Sequence, residues 1–180
     1  MVPPSIRKEY KQLKLRFVRA ERLPKMDQFG TIDAYIQTVY FKKKLKTKAV
    51  TQTKSHETFL EQEFWLPIQW PLASDRLVLK VYDEDKVSDE IVGSMNFSLK
   101  KLITESSGEG VLKWHNLYGS PLGCSGENTR QMNDFPEIAS TWKGRILIHV
   151  SAYDTKNPEM KVAPLDPEYK AQCLKSKIFD

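Results

Sequence analysis

Apolar and polar side chains alternate with a period near two along many short stretches of this chain. Leu13, Leu15 and Phe17 alternate with Lys14, Arg16 and Val18 ahead of the breaker Pro24, the pattern of a strand buried on one face. Ala34 to Tyr40 is rich in β-branched and aromatic residues and predicts a second strand. Leu45 to Thr53, Glu63 to Gln69, Arg76 to Tyr82, Ile91 to Phe97, Val111 to Tyr118 and Gly144 to Ala152 follow with similar patterns. Only Leu99 to Ser106 suggests a short helix. Short, evenly spaced strands with turn residues between them predict an all-β fold, an eight-stranded antiparallel β-sandwich.

Between these strands, Gly119 to Trp142 is a long connection rich in Gly, Ser, Asn and Pro, either an ordered insertion or a mobile loop. From Asp154 onward the chain carries Pro158, Pro164 and Pro167 with many charges and no clean periodicity, which predicts a linker or tail toward a next module. The expected organisation is an N-terminal extension over 1–11, one domain over 12–152 with its insertion at 119–142, and the tail at 153–180. Hydrophobic residues at 40% and charged residues at 28% exclude a disordered or fibrous chain. No apolar run approaches the roughly 20 residues of a membrane span, and Met1 to Lys11 lacks the apolar middle of a secretory signal. Cys124 and Cys173, far apart in polar segments, make no disulfide framework, so a reducing cytosol is the expected compartment.

A net charge of +5 is too modest to select a partner. Its distribution says more, because Lys42, Lys43, Lys44, Lys46 and Lys48 crowd one stretch while Asp83, Glu84, Asp85, Asp89 and Glu90 crowd another. Asp27 and Asp33 lie between the first two strands, and Asp83, Asp85, Asp89 and Glu90 between the fifth and sixth. A sandwich can bring such loops to one end, where each close pair of carboxylates costs on the order of a few kcal/mol at an effective dielectric of about 20. Calcium relieves that crowding, since it takes six to eight oxygen ligands in flexible geometry, whereas magnesium prefers fewer protein ligands. Zinc is rejected because the cysteines and His56, His115 and His149 lack paired spacing. An EF-hand counted from Asp83 fails at Val87, Ser88 and Ser94, where an acid or amide, Gly and Glu are needed. Turn capping explains any single Asp, but not the whole set.

Leu23-Pro24-Lys25-Met26-Asp27, followed six residues later by Asp33-Ala34-Tyr35, resembles the first calcium loop of the C2 domain. Val81 to Asp85, running to Ile91-Val92-Gly93, resembles that family's third loop. Trp114 to Ser120 and Trp142 to Ile148 are similar to segments of ferlin C2 domains, which belong to multi-domain, tail-anchored proteins of calcium-triggered membrane fusion and repair. The resemblance covers roughly residues 12–152 and implies the circularly permuted, type II strand order. It also implies that Asp27, Asp33, Asp83 and Asp85 are metal ligands, with Asp89 or Glu90 in the fifth place. The third loop is one residue shorter than in many calcium-binding members, which leaves that fifth place open between the two, and Ala34 replaces the usual Pro.

The expected function is calcium-dependent binding of anionic phospholipid by a cytoplasmic, peripheral, monomeric module of a ferlin-like vesicle-fusion or exocytosis protein, and not catalysis. Met26, Phe29 and Val87 are the apolar loop residues expected to insert, a buried Phe adding roughly 1.5 to 3 kcal/mol. A Phe29 folded back over the sandwich edge is an equal alternative. The five lysines suit phosphoinositides, each adding on the order of 1 kcal/mol near an anionic leaflet, or else they protect a solvated edge strand. Nucleic acid is disfavoured because the patch lacks interleaved aromatics. The alternative function is a calcium-independent phosphoinositide-binding or protein-interaction scaffold, and a hydrolase lacks any supporting motif.

Overall fold

A computed structural model of the chain describes residues 7–26, 31–53 and 56–168. The elements run β1 (Glu9–Glu21), β2 (Asp33–Tyr40), β3 (Lys43–Lys46), β4 (Val50–Thr51), β5 (Glu57–Thr58), β6 (Gln62–Trp70), β7 (Arg76–Asp83) and β8 (Glu90–Ser98). They continue with α1 (Leu99–Glu105), β9 (Val111–Gly119), α2 (Glu127–Asp134), β10 (Thr141–Asp154) and β11 (Lys161–Pro164).

Eight of the strands form two antiparallel layers, β6-β1-β10-β9 and β8-β7-β2-β3, of a β-sandwich. The layers meet where β8 touches β9 through the single pair Ser94 and Tyr118. Gly93 permits this crossing, because a Cβ there would lie 2.8 Å from the Tyr118 carbonyl oxygen. β10, the last long strand, pairs with β1, the first, as type II order requires. Alternation drives the layering. Leu13, Leu15 and Phe17 point into the core with Phe64, Leu66 and Ile68 of β6, and Ile36, Leu79 and Val81 face them from the other layer. Phe17 and Phe64 meet edge to face at 5.0 Å, the geometry their ring quadrupoles favour.

The structure adds detail that the sequence pattern did not give. The third predicted strand ends at Lys46, and Val50–Thr51 forms a separate two-residue pairing with β2. The connection at 119–142 contains α2, anchored by Asn133, whose Oδ1 accepts the Ser120 N–H at 3.0 Å. The segment read as linker contributes β11, which pairs with β6. Met160 and Val162 pack against the core, and the Leu165 N–H donates to the Glu61 carbonyl at 3.0 Å. Strand pairing also begins earlier than expected, at Glu9 opposite Trp70. No helix among the described residues is long and apolar enough to cross a membrane.

Candidate functional site

Strand pairing gathers acids from distant parts of the sequence at one rim of the sandwich. Ala34 of β2 stands opposite Asp83 of β7, and Asp83 stands opposite Glu90 of β8. The Asp33 N–H donates to Asp83 Oδ1 at 2.8 Å, and the Glu84 N–H returns a bond to the Asp33 carbonyl at 3.0 Å. Asp83 is only 3% exposed. Asp33 is half-buried, and its Oδ1 is a buried oxygen with no hydrogen-bond partner. Such an orphan costs on the order of a few kcal/mol, and a hard cation beside Asp83 would satisfy it. That donor chemistry fits calcium.

Asp85 is half-buried, and its N–H donates to Asp89 Oδ1 at 3.3 Å. The side chain of Asp89 is held from the outer face of the sheet. Tyr35 donates its hydroxyl to Asp89 Oδ2 at 2.7 Å. Lys46 places its Nζ 2.9 Å from Glu84 Oε1, 3.6 Å from Asp89 Oδ2 and 3.7 Å from the Tyr35 ring centre. Tyr35 in turn stacks on Tyr82 at 5.1 Å. The Tyr35 hydroxyl bond, ahead of the nearby ammonium, holds the Asp89 carboxyl below the usual carboxylate range. The Glu84 bond pushes Lys46 up, while burial, followed by the Asp89 bond, pushes the Tyr35 phenol up. No group of three metal-ligating side chains stands together among the described residues. Asp27, read as the ligand from the first loop, and Phe29, read as an inserting residue, lie outside the described residues.

Of the other apolar loop residues, Val87 is 97% exposed at the tip of the β7–β8 loop. Met26 is half-buried and packs against the core. It lines a groove together with Glu90, so the entry of the first loop and the acidic rim share one end of the molecule.

The lysine stretch is a hairpin. Tyr40 pairs with Lys43 and Val39 with Lys44, and Phe41 and Lys42 form the two-residue turn at φ 46° and 63°. Leu45 turns into the core, leaving Lys42, Lys43, Lys44 and Lys48 exposed. Lys46, opposite Gln37, is the member of the set that reaches the acidic rim. Tyr35 and Glu84 were missed in the sequence as parts of this rim. Alternation along β2 puts Tyr35 on the outer face, yet only the register across β2, β3 and β7 places it between Lys46 and Asp89.

A sandwich closed by its last strand, with paired carboxylates on loops at one end, defines a class of loop-bearing binding modules. The family model of the C2 domain matches residues 11–117, and the chain belongs to the C2 domain family. It is similar to mouse myoferlin, 23% identical across 93% of this chain and 10% of the relative. It is also similar to mouse synaptotagmin-2, 32% identical across 60% of this chain and 26% of the relative. The chain thus spans about a tenth of the myoferlin it matches. Among solved structures it resembles the tandem C2 domains of extended-synaptotagmin 2 in their calcium-bound form, with a TM-score of 0.56 and 16% identity over 78% of this chain and 45% of that one. That likeness concerns the fold.

Proposed function

We propose that this chain is a peripheral module that binds anionic phospholipid in response to calcium, within a longer ferlin-like protein of membrane fusion. The unpartnered, buried Oδ1 of Asp33 beside the buried Asp83 carries this reading. Asp33, Asp83 and Asp85, which do not yet stand together as a ligand group, would draw in to hold the ion with Asp27, and Asp89 or Glu90 would complete the set. Bound calcium supplies positive charge that cancels the acidic rim and takes up lipid phosphate oxygens. The chain's own residues do the rest. The Asp33 N–H fixes Asp83 in place, Val87 offers the side chain that enters the lipid, and Lys42, Lys43, Lys44 and Lys48 attract the anionic leaflet. The module is monomeric, cytoplasmic and without catalytic activity, and the described tail before residue 168 belongs to the domain rather than to a spacer.

Sedimentation with phosphatidylserine vesicles in calcium and in chelator tests the reading. Binding is expected in calcium alone, to be lost in an Asp83→Asn, Asp85→Asn variant whose melting temperature shows it folded, and to weaken about tenfold in Val87→Ser, the value of one buried Val. The pairing of Lys46 with Glu84 and Asp89 favours a second reading, calcium-independent binding of phosphoinositides or of a protein partner. Equal binding in calcium and chelator would establish it in place of the first.

A further inference from the structure

A groove of about 530 Å³ opens between α2 and the acidic rim, within the size range of sites for small ligands. Its chemistry is set by a lysine in an unusual position. Between the pairs Trp142–Tyr118 and Arg145–Asn116, β10 spends two residues, Lys143 and Gly144, where β9 spends only Leu117. Such a bulge re-aims the side chains it carries. Gly144 makes it possible, with φ at 102° and no room for a Cβ, which would stand 2.6 Å from the Glu21 carbonyl oxygen.

The bulge sets Lys143 in the wall of the groove, only 4% exposed. Its side chain has no hydrogen bond or ion pair with any described residue. Burial pulls its ammonium below the ordinary lysine range, and Cys124 opposes that shift. A lysine so largely buried, with no side-chain partner among the described residues, costs stability, and a bound anion would offset that cost. A second, independent cation faces the same space. Arg130 is exposed on α2, lines the groove, and has no acid partner among the described residues. The α2 N-terminus also opens there through Gly126, which offers no side-chain cap to the first-turn amides. Among the described lining residues Glu90 is the one acid, against the two cations Lys143 and Arg130.

We propose that Lys143 and Arg130 form a phosphate-binding site at the membrane-facing end of the domain, bordering the carboxylate rim at Glu90 and distinct from the β3 lysines. Its ligand is a phosphomonoester, carried by a lipid headgroup or by a soluble phosphorylated molecule. It requires no calcium, so it stands or falls apart from the calcium reading.

The test is run in chelator with inositol 1,4,5-trisphosphate as the probe, by calorimetry and by amide shifts in NMR spectra. Binding is expected to shift the amides of Gly126, Thr129, Arg130 and Lys143. It should weaken about tenfold in Arg130→Gln and at least as much in Lys143→Met, the scale of one charge-assisted hydrogen bond. The same losses should persist in a Lys43→Gln, Lys44→Gln background. Lys143→Met should melt no lower than the parent chain, because it removes a buried charge and keeps the apolar stem. A lysine serving only the fold would instead lower the melting temperature and leave affinity intact. In a Cys173→Ser background, the probe should slow alkylation of Cys124, which lines the groove. Vesicles containing phosphatidylinositol 4,5-bisphosphate form a second arm. Lys143-dependent binding to vesicles but not to the soluble probe assigns the phosphate to a lipid, and Lys143-dependent binding of the soluble probe with no gain on vesicles assigns it to a free ligand. Affinity unchanged in both single variants, or shifts confined to residues 42–48, would overturn the proposal.

Discussion

Lys46 sits where the two charge systems of the molecule meet, and its position decides how they communicate. Its Nζ lies within ion-pair distance of Glu84 and Asp89 and over the Tyr35 ring. Exposed pairs of this kind contribute little to stability, so the interest of the residue lies in the field it creates at the rim. A divalent ion bound by Asp33 and Asp83 would feel a fixed positive charge nearby, and Asp89 would have to leave Tyr35 and Lys46 to join the ligands. Removing that charge contributes on the order of 1 kcal/mol in a well-solvated site. Lys46→Met should therefore bind calcium about fivefold tighter in a calorimetric titration at moderate ionic strength, and the gain should shrink as salt is added. A variant that binds calcium more weakly would mean that Lys46 holds the loop in its binding geometry instead of competing with the ion.

At the scale of elements, β11 shows what alternation reveals and what it hides. It adds four residues to the edge of β6, and Met160 and Val162 pack against the core. Glu159 closes both hydrogen-bonding groups of the Gln12 amide through its backbone, at 2.7 and 2.6 Å. A chain ending at Thr155 loses all of this and leaves a buried amide without partners. It should lose about 3 kcal/mol in urea unfolding, the sum expected from partial burial of two or three apolar side chains and one orphaned amide. An unchanged midpoint would return the segment to the status of a spacer. The long strands were legible in the sequence because each hides one face and so imposes a period of two. The Met160–Val162 alternation is present too, but it spans two positions and is enclosed by Pro158 and Pro164, which read as breakers. α2 was illegible for a different reason. Glu127 to Asp134 contains a single apolar residue, Met132, so no helical stripe exists, and the helix is held by the Asn133 side chain rather than by an apolar face. At the rim, Asp33 and Asp83 were legible because they end strands. The outward hold on Asp89 was not, because it depends on the register of β3 against β2, and neither was the inward place of Lys143, because it depends on a bulge.

Across the whole molecule, the response to acid should separate into two windows. His115 of β9 packs against Phe97 at 4.9 Å, and His149 of β10 is half-buried beside Arg16 and Lys14. Burial holds both imidazoles below their ordinary value of 6.5. Lys113 adds to this at His115 against an opposing pull from Glu105, and Arg16 and Lys14 add to it at His149 against a bond involving the Glu109 backbone. A group whose folded pKa is depressed takes up its proton first in the unfolded chain, so the native state loses ground as pH falls below 6.5. Each histidine contributes at most about 1.4 kcal/mol per pH unit in that window. The carboxylates act later. Asp75, which accepts the Lys100 N–H at 2.6 Å and the Ser98 hydroxyl at 2.7 Å, and Asp89, held by Tyr35, are both depressed from an ordinary value of 3.8, so their support is lost only below it. Urea midpoints should therefore be level between about pH 7 and 8, fall between pH 6.5 and 5, and fall again below about pH 4. A His115→Gln, His149→Gln chain should lose the first fall and keep the second, because Gln carries no titrating proton into the unfolded state. If the double variant retains the first fall, the acid sensitivity resides in other groups and the two imidazoles are packed without cost.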